Sequence, residues 1–266
     1  MKILVPVKQV AVLDEDFELR EDGRDVDPDY LNHELNEWDD YSWEVALQLQ
    51  ERHGAAVEVV PVTVGPTQAE EGLRKCLAKG GERGIRVWDA ALAGSDPTVI
   101  ARLLARLAER EGADLVLTGA QAADHAYAQT GVGVAALLGW PHVAVVSALD
   151  YTPGAASAKV CRELEGGLQE ELAVQMPAVL TIQLGINEPR YASLRGIKQA
   201  SAKPIEVLSH RELGLSDAQV GEAGSACRVR RMYVPAKGQA ELIEGTPAEQ
   251  ARRLAEIINE LRGVNG

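Results

Sequence analysis

Short apolar runs alternate along the chain with segments of helical period, the order expected of repeated strand–helix units and hence of a parallel sheet covered by helices. Residues 1–7, MKILVPV, make a first buried strand. The acidic stretch 14–29 fits neither period and reads as a surface excursion, with Asp22-Gly23 as a hairpin turn. A helix follows Asn36 and runs to about Arg52, with Trp43, Ala46, Leu47 and Leu49 as its apolar stripe. Residues 57–64 form a buried strand closed by Gly65-Pro66. Thr67 is placed to cap a helix that carries Leu73, Cys76 and Leu77 to a stop at Gly80-Gly81. A short strand at 85–88 comes next. Ser95 or Asp96 then caps a helix with Pro97 in its first turn, which carries Leu103, Leu104 and Leu107 to Gly112. Residues 114–118 are the next strand.

Beyond Trp140-Pro141 the pattern changes. Segments 144–149, 159–164 and 168–175 read as antiparallel pieces, the last two joined across Gly166-Gly167, and 178–184 is a fully apolar strand. The sheet is therefore expected to be mixed: parallel in its first half, antiparallel at one edge or in an added layer. From Val207 the apolar density falls. The expected division is an α/β domain over 1–206 and a C-terminal arm and helix over 207–266. Thr246-Pro247-Ala248-Glu249 matches a capping box with Pro at the first helical position. Leu254, Ile257, Ile258 and Leu261 then form one apolar stripe, which must bury itself against its own domain or another chain.

Composition narrows the partners. The 266 residues carry a formal net charge of −13, against the basic face that a nucleic acid or an anionic membrane requires. Any phosphate bound here must be held mostly by backbone N–H groups. Only 4% of residues are aromatic, so Val, Leu, Ile and Ala build the core. Cys76, Cys161 and Cys227 are widely spaced, with neither a disulfide framework nor zinc spacing, which fits a reducing cytoplasm. The N-terminal apolar run is too short for a signal segment, and no run reaches the roughly 20 residues that span a bilayer.

The segment 119–131, GAQAADHAYAQTG, follows a buried strand and opens the small-residue helix GVGVAALLG. Such a loop, with Thr130 as the expected cap, directs N–H groups at the positive end of a helix dipole and suits an anion such as phosphate. The same small residues also suit close helix–sheet packing. In an open α/β sheet the ends of the strands at Pro6-Val7-Lys8 and Val64-Gly65-Pro66 belong on the same rim. Asn36 and its neighbours can join them, with Asp39 or Asp40 accepting from a ribose hydroxyl or an adenine amino group, or simply favouring the helix N-terminus. The histidines His33, His53, His125, His142 and His210 show no metal-ligand spacing. No nucleophile elbow, Walker A loop or GxGxxG after a strand is present.

At 183–204, QLGINEPRYASLRGIKQASAKP, the chain resembles electron transfer flavoprotein beta subunits, whose signature matches Asn187-Glu188-Pro189-Arg190-Tyr191-Ala192-Ser193-Leu194. The resemblance extends to ILVPVKQV, Val64-Gly65-Pro66, Asp114-Leu115-Val116, Gln129-Thr130-Gly131, Trp140-Pro141, Arg162-Glu163 and Glu165-Gly166-Gly167. It implies an adenine-nucleotide-binding, alpha-hydrolase-like and Rossmann-like α/β fold. The sheet would be mixed and largely parallel, with helices on both faces. It implies a heterodimer in which an alpha subunit holds most of a redox-active FAD and this subunit binds AMP, without substrate turnover of its own. By position the AMP site would comprise Pro6, Asn36, Glu37, Trp38, Asp39, Val64, Gly119, Ala120, Gln121, Ala122, Ala123, Asp124, His125, Ala126, Tyr127, Ala128, Gln129 and Thr130. Trp38 is expected at the subunit boundary beside the FAD ring.

A docking loop for a primary dehydrogenase would comprise Tyr191, Ala192, Ser193, Leu194, Arg195, Gly196, Ile197, Lys198, Gln199 and Ala200. Leu194 would be its anchor, and Ser193 can cap a short helix that leaves Leu194 exposed. A membrane quinone oxidoreductase is the implied acceptor. The sequence departs from the mitochondrial-type pattern at Asn36-Glu37, at Asp124-His125-Ala126, and where a lysine cluster thins to Lys198 and Lys203. LNEWDD, WPHVAVV and RVRRMYVP are more similar to the methylotrophic bacterial branch that serves trimethylamine dehydrogenase or related amine dehydrogenases. Two other readings stay open: a bifurcating type with a second FAD in place of AMP, and a stand-alone nucleotide-binding regulator or hydrolase on the same superfold.

Overall fold

The computed structural model of the chain describes residues 1–14, 16–235, 238 and 240–264. It divides into two compact units, Met1–Arg230 and Arg231–Gly266. In the first unit the elements run β1 (Lys2–Pro6), β2 (Gln9–Leu13), β3 (Leu31–Leu35), α1 (Glu37–His53), β4 (Glu58–Val64), α2 (Glu70–Lys79), β5 (Gly84–Val87), α3 (Pro97–Glu111) and β6 (Leu115–Gly119). There follow α4 (Thr130–Leu138), β7 (His142–Asp150), β8 (Ser157–Glu163), β9 (Gln169–Gln175), β10 (Ala178–Ile182), α5 (Leu194–Ala200), β11 (Ile205–Leu208) and the short α6 (Gly221–Gly224). The second unit holds α7 (Pro247–Val264).

A nine-stranded sheet in the order β11-β5-β4-β1-β6-β10-β7-β8-β9 forms the centre. Neighbours from β11 to β7 pair in parallel, while β7–β8 and β8–β9 pair antiparallel. The mixed sheet expected from the sequence is thus present, with its antiparallel part at one edge. Both faces are covered, which is why the central strands are apolar at consecutive positions. Ile3 and Val5 of β1 pack with Trp43 and Leu47 of α1 and Leu73 of α2; Leu4 packs on the other side with Leu103 and Leu107 of α3 and Val134 of α4. Where β7 meets β10 the register shifts, and Val145 adopts φ 59 while donating its N–H to Thr181 Oγ1 at 3.1 Å.

The acidic excursion is the connection of an antiparallel pair, β2 with β3. Its tip turns at Asp22-Gly23, where Gly23 takes φ 62 and donates to the Arg20 carbonyl, and a Leu19–Val26 bridge lies below it. Residue 15 of that stretch lies outside the described residues. Thr67 caps no helix: it opens a 3-10 turn, Thr67–Ala69, that leads into α2 without a side-chain cap. At α3 the choice falls on Asp96, which accepts from Val99 N at 3.0 Å, while Ser95 Oγ donates back to the Leu92 carbonyl.

The unit division lies further along the chain than the expected one between residues 206 and 207, which falls inside β11. That strand pairs with β5 through all four of its residues, Ile205 to Leu208 opposite Gly84 to Val87. Its run IEVL is only four residues long and carries little strand signal of its own. The chain beyond it returns to α3, because Asp96 Oδ2 accepts from Ala226 N and Cys227 N at 2.8 and 3.0 Å. In the second unit, Thr246 and Glu249 form the expected capping pair, the Thr246 N–H and hydroxyl each 2.8 Å from Glu249 Oε2. Leu254 and Ile258 of its stripe are exposed. Residues 236, 237, 239, 265 and 266 of the expected arm lie outside the described residues.

Asp96 therefore caps one helix and tethers a distant segment with the same carboxylate. Asp96→Ala should lower stability by about 1–2 kcal/mol, measured by urea unfolding. Amide exchange at Ala226 and Cys227 should accelerate together with that at Val99.

Candidate functional site

The strand order reverses at β1: the chain proceeds from β1 to β4 and β5 on one side, then crosses to β6 on the other. Open α/β sheets take ligands at the carboxyl ends of the strands beside such a switch point. Three segments meet there: the exit of β1 at Pro6 to Lys8, the first turn of α1, and the loop after β6. Val64 ends β4 on the same rim, two residues past Val62, which pairs with Pro6.

Asp39 ties these segments together. It is buried, and its Oδ2 accepts from Lys8 N at 2.8 Å while Oδ1 accepts from Gly119 N at 3.1 Å. Burial raises its pKa to about 7, against the pull of those N–H donors and of Asn36 toward the ionised form. A side chain on Gly119 would put its Cβ 2.5 Å from Asp39 Oδ1 and 2.6 Å from Trp38 Cβ, so only glycine lets α1 approach β6 this closely. Of the two acids expected as nucleotide acceptors, Asp39 is thus engaged with backbone on both oxygens. Asp40 is held by Lys79 Nζ at 2.5 and 2.7 Å.

Asn36 precedes α1 but makes no side-chain cap to it. Its amide faces the loop instead: Nδ2 donates to the Gln121 carbonyl at 2.9 Å, and Oδ1 accepts from Ala123 N at 3.1 Å. Glu37 is exposed. Trp38 is half-buried, with Nε1 donating to Gln183 Oε1 at 3.3 Å, which links α1 to the end of β10. Ala120 N donates to the Ile182 carbonyl, so the loop root is pinned to that strand as well. Gln183 was not among the expected residues. Its signal lies in the topology, since β10 neighbours β6 and must end on the same rim.

Beyond its root the loop is open: His125, Ala126, Tyr127, Ala128 and Gln129 are all exposed. Lys8 Nζ donates to Asp124 Oδ1 at 2.6 Å and lies 3.3 Å from His125 Nδ1, which is itself 3.1 Å from Asp124 Oδ1. Burial disfavours the Asp124 charge, but His125 and Lys8 outweigh it and hold the carboxyl far below the usual range. Ala126 and Ala128 take positive φ, 51 and 52, and Gln129 follows in the right-handed region. The Ala126 N–H donates to the Ala122 carbonyl at 2.9 Å, closing a turn within the loop, and positive φ carries an energetic cost for residues other than glycine.

Thr130 is the first residue of α4 and not its cap; Gln129 occupies the cap position without a side-chain bond. The helical ladder begins with Gly133 N to the Gln129 carbonyl at 2.8 Å, which leaves the N–H groups of Thr130, Gly131 and Val132 ahead of it at the helix entrance. Gly131 presses on the sheet: a Cβ there would lie 2.5 Å from Thr118 Oγ1 and 2.6 Å from Thr181 Cγ2. Thr118 Oγ1 is buried without a partner beneath this entrance. Among the described residues no group of three or more His, Cys, Asp or Glu is placed to hold a metal ion, and no helix is long and apolar enough to cross a membrane.

The expected docking loop lies elsewhere on the first unit. Ser193 accepts from Gly196 N at 3.0 Å and so caps α5, as anticipated. Tyr191 and Leu194 are 97% and 89% exposed, and Ile197, Arg195, Lys198 and Gln199 are also exposed. Ala192 and Gly196 are partly covered. Ala200 departs from the expectation of a docking residue: it is buried, and its carbonyl accepts from Arg74 Nη1 at 2.6 Å, because this end of α5 faces α2.

Fold and rim define a doubly wound α/β protein in which strand ends, a helix start and a long loop converge at the switch point. Residues 26–213 match the electron transfer flavoprotein domain. The chain is 57% identical over 264 residues to the electron transfer flavoprotein subunit beta of Methylophilus methylotrophus, covering 99% of this chain and 100% of that protein. Identity is 42% over 266 residues with the corresponding subunit of Bradyrhizobium diazoefficiens, covering 100% and 99% of the two chains, and 39% over 217 residues with the human subunit, covering 81% and 84%. The chain belongs to the electron transfer flavoprotein family, as a beta subunit, and is an electron-carrier subunit.

The buried Asp39 carboxyl makes stability depend on pH. Its folded-state pKa of about 7 lies above the ordinary 3.8, so its contribution is full below about pH 4 and lost as pH rises through 7. Asp39→Asn should therefore flatten the fall in stability between pH 5 and pH 7.5, read from urea midpoints of the two proteins at both pH values.

Proposed function

We propose that this chain pairs with an alpha subunit to form a heterodimeric electron transfer flavoprotein, and that its own crevice holds AMP as a structural nucleotide. The observation that carries the nucleotide reading is the convergence of the β1 exit, the start of α1 and the Gly119–Thr130 loop on one switch point. The residues fit a nucleoside monophosphate. N–H groups at the entrance of α4, the turn at Ala128 and Lys8 can receive a phosphate in a chain of strong net negative charge. The partnerless Thr118 hydroxyl beneath Gly131 offers one more polar group. AMP bound only to the folded state would stabilise it by mass action.

FAD, held mainly by the alpha subunit, supplies the one-electron chemistry when bound. This chain's part is to position: Trp38, half-buried beside Gln183, faces the subunit boundary near the flavin, and the apolar stripe of α7 packs on the alpha subunit. Residues 191–200 dock the primary flavin dehydrogenase, with Leu194 as the anchor that fills an apolar pocket. Similarity to a subunit from a methylotrophic bacterium supports an amine dehydrogenase, trimethylamine dehydrogenase above all, as donor. Electrons then pass to a membrane quinone oxidoreductase and the respiratory chain, with the heterodimer in the cytoplasm and no nucleic acid involved.

Co-expression with the alpha subunit, followed by denaturation and mass spectrometry of the released small molecules, should yield one FAD and one AMP per heterodimer. Two flavins and no AMP would replace this reading with the bifurcating type. Nucleotide turnover by this chain alone would replace it with a stand-alone hydrolase. Leu194→Ala should slow reduction by the dehydrogenase about ten-fold or more, as loss of a hot-spot anchor does, with nucleotide content and thermal unfolding unchanged.

A further inference from the structure

Residues 191–193 and the outer face of α5 project from the surface, while the inner face of α5 packs on α2, with Gly196 against the Ala78 carbonyl. Tyr191, Ser193 and Leu194 stand exposed between Pro189 and the first turn of α5. At the leading end Arg190 binds two acids that lie two turns apart on one face of α1. Its Nε and Nη2 donate to Glu44 Oε2 and Oε1 at 2.8 and 2.9 Å, a forked pair, and its backbone N–H donates to Glu44 Oε2 at 3.2 Å. The same guanidinium reaches Glu51, with Nη2 to Oε2 at 2.9 Å and Nη1 to Oε1. Glu44 is almost fully buried, so salt screens its pairing with Arg190 less than it screens a surface ion pair. A planar fork that engages one carboxylate bidentately and a second alongside it fixes orientation as well as distance.

The trailing end is locked by an exchange of caps. Arg74 of α2 donates to the Ala200 and Lys203 carbonyls that end α5, at 2.6 and 2.5 Å. Lys203 returns the contact, donating to the Leu77 and Gly81 carbonyls at the end of α2, at 2.9 and 2.6 Å. Cations placed on free carbonyls at helix C-termini satisfy groups that the helix itself cannot. Gly196 sits directly on the Ala78 carbonyl, where a side chain would have no room.

We infer that Arg190 is a positioning residue for dehydrogenase docking: by clamping Glu44 and Glu51 it holds Tyr191 and Leu194 in one presented arrangement. The inference rests on the docking role proposed above for residues 191–200. An exposed apolar anchor held by its flanks loses little freedom when it enters a partner pocket, which is the advantage of preorganisation. Release of the clamp lowers the fraction of molecules in the competent arrangement, and apparent affinity falls by that fraction.

The test uses the heterodimer in three forms: wild type, Glu44→Gln/Arg190→Met, and Leu194→Ala. The double variant avoids leaving Glu44 as an unpaired buried charge, which by itself can unfold α1. Backbone hydrogen exchange over 191–197 should accelerate about ten-fold in the double variant, with exchange in β1 and β6 unchanged. With trimethylamine dehydrogenase as the electron donor, the KM for the flavoprotein should rise about ten-fold, while the limiting rate stays within a factor of about two. Unchanged exchange at 191–197 overturns the inference, as does a lowered limiting rate or lost flavin with an unchanged KM. A Leu194→Ala protein that is impaired beside an unimpaired double variant removes the clamp alone. An unimpaired Leu194→Ala protein removes the docking reading, and the inference with it.

Discussion

One buried carboxylate joins the three segments that form the rim. Asp39 accepts from Lys8 N as the chain leaves β1 and from Gly119 N as it leaves β6, so the two strands on either side of the switch point are bridged through the first turn of α1. Much else follows from that approach. Gly119 has no Cβ because α1 stands in its place, Asn36 is brought within reach of the loop backbone at Gln121 and Ala123, and Trp38 comes to lie against Gln183. Two N–H groups that would otherwise end their strands in a crevice are satisfied, and the loop beyond is left free to present its own. A carboxylate in this position is an expensive device, since burial opposes its charge, and it persists because both oxygens have donors.

The rest of the rim is built from backbone and small side chains, which suits a chain whose net charge would repel an anion. Lys8 is engaged with Asp124 and His125, so the cation nearest the crevice is already partly neutralised. The N–H groups of Thr130, Gly131 and Val132 stand ahead of the helical ladder at the entrance of α4.

The second surface is organised on the opposite principle. Residues 191–199 are anchored by charged side chains at their ends, Arg190 on one side and the Arg74–Lys203 exchange on the other, and by the packing of α5 on α2, while Tyr191, Leu194 and Ile197 project outward. The rim and this loop are both carried by α1, whose first turn holds Asp39 and whose middle turns hold Glu44 and Glu51. A single helix thus sets the geometry of the crevice at one end and of the loop along its flank.

The sequence alone determined the mixed sheet, the main strands and helices and the strand-end loops that meet at the rim, because apolar periodicity and Gly or Pro punctuation are local signals, but it marked no strand at β2, β3 or β11. The family signature at Asn187 to Leu194 was equally local. Tertiary structure decided what no local pattern encodes. Asp39 faces backbone because β6, 80 residues away, delivers Gly119 N to it. Thr67 and Thr130 do not cap, because the chain enters α2 through a 3-10 turn and α4 from Gln129. The weak run IEVL became β11 because β5 offered it an open edge, and that pairing carries the first unit past residue 206. Ala200 turned inward because α2 supplies Arg74 to its carbonyl. For Asp39, β11 and Ala200 the deciding partner is distant in sequence, and only the folded sheet brings its donor or acceptor within hydrogen-bonding distance.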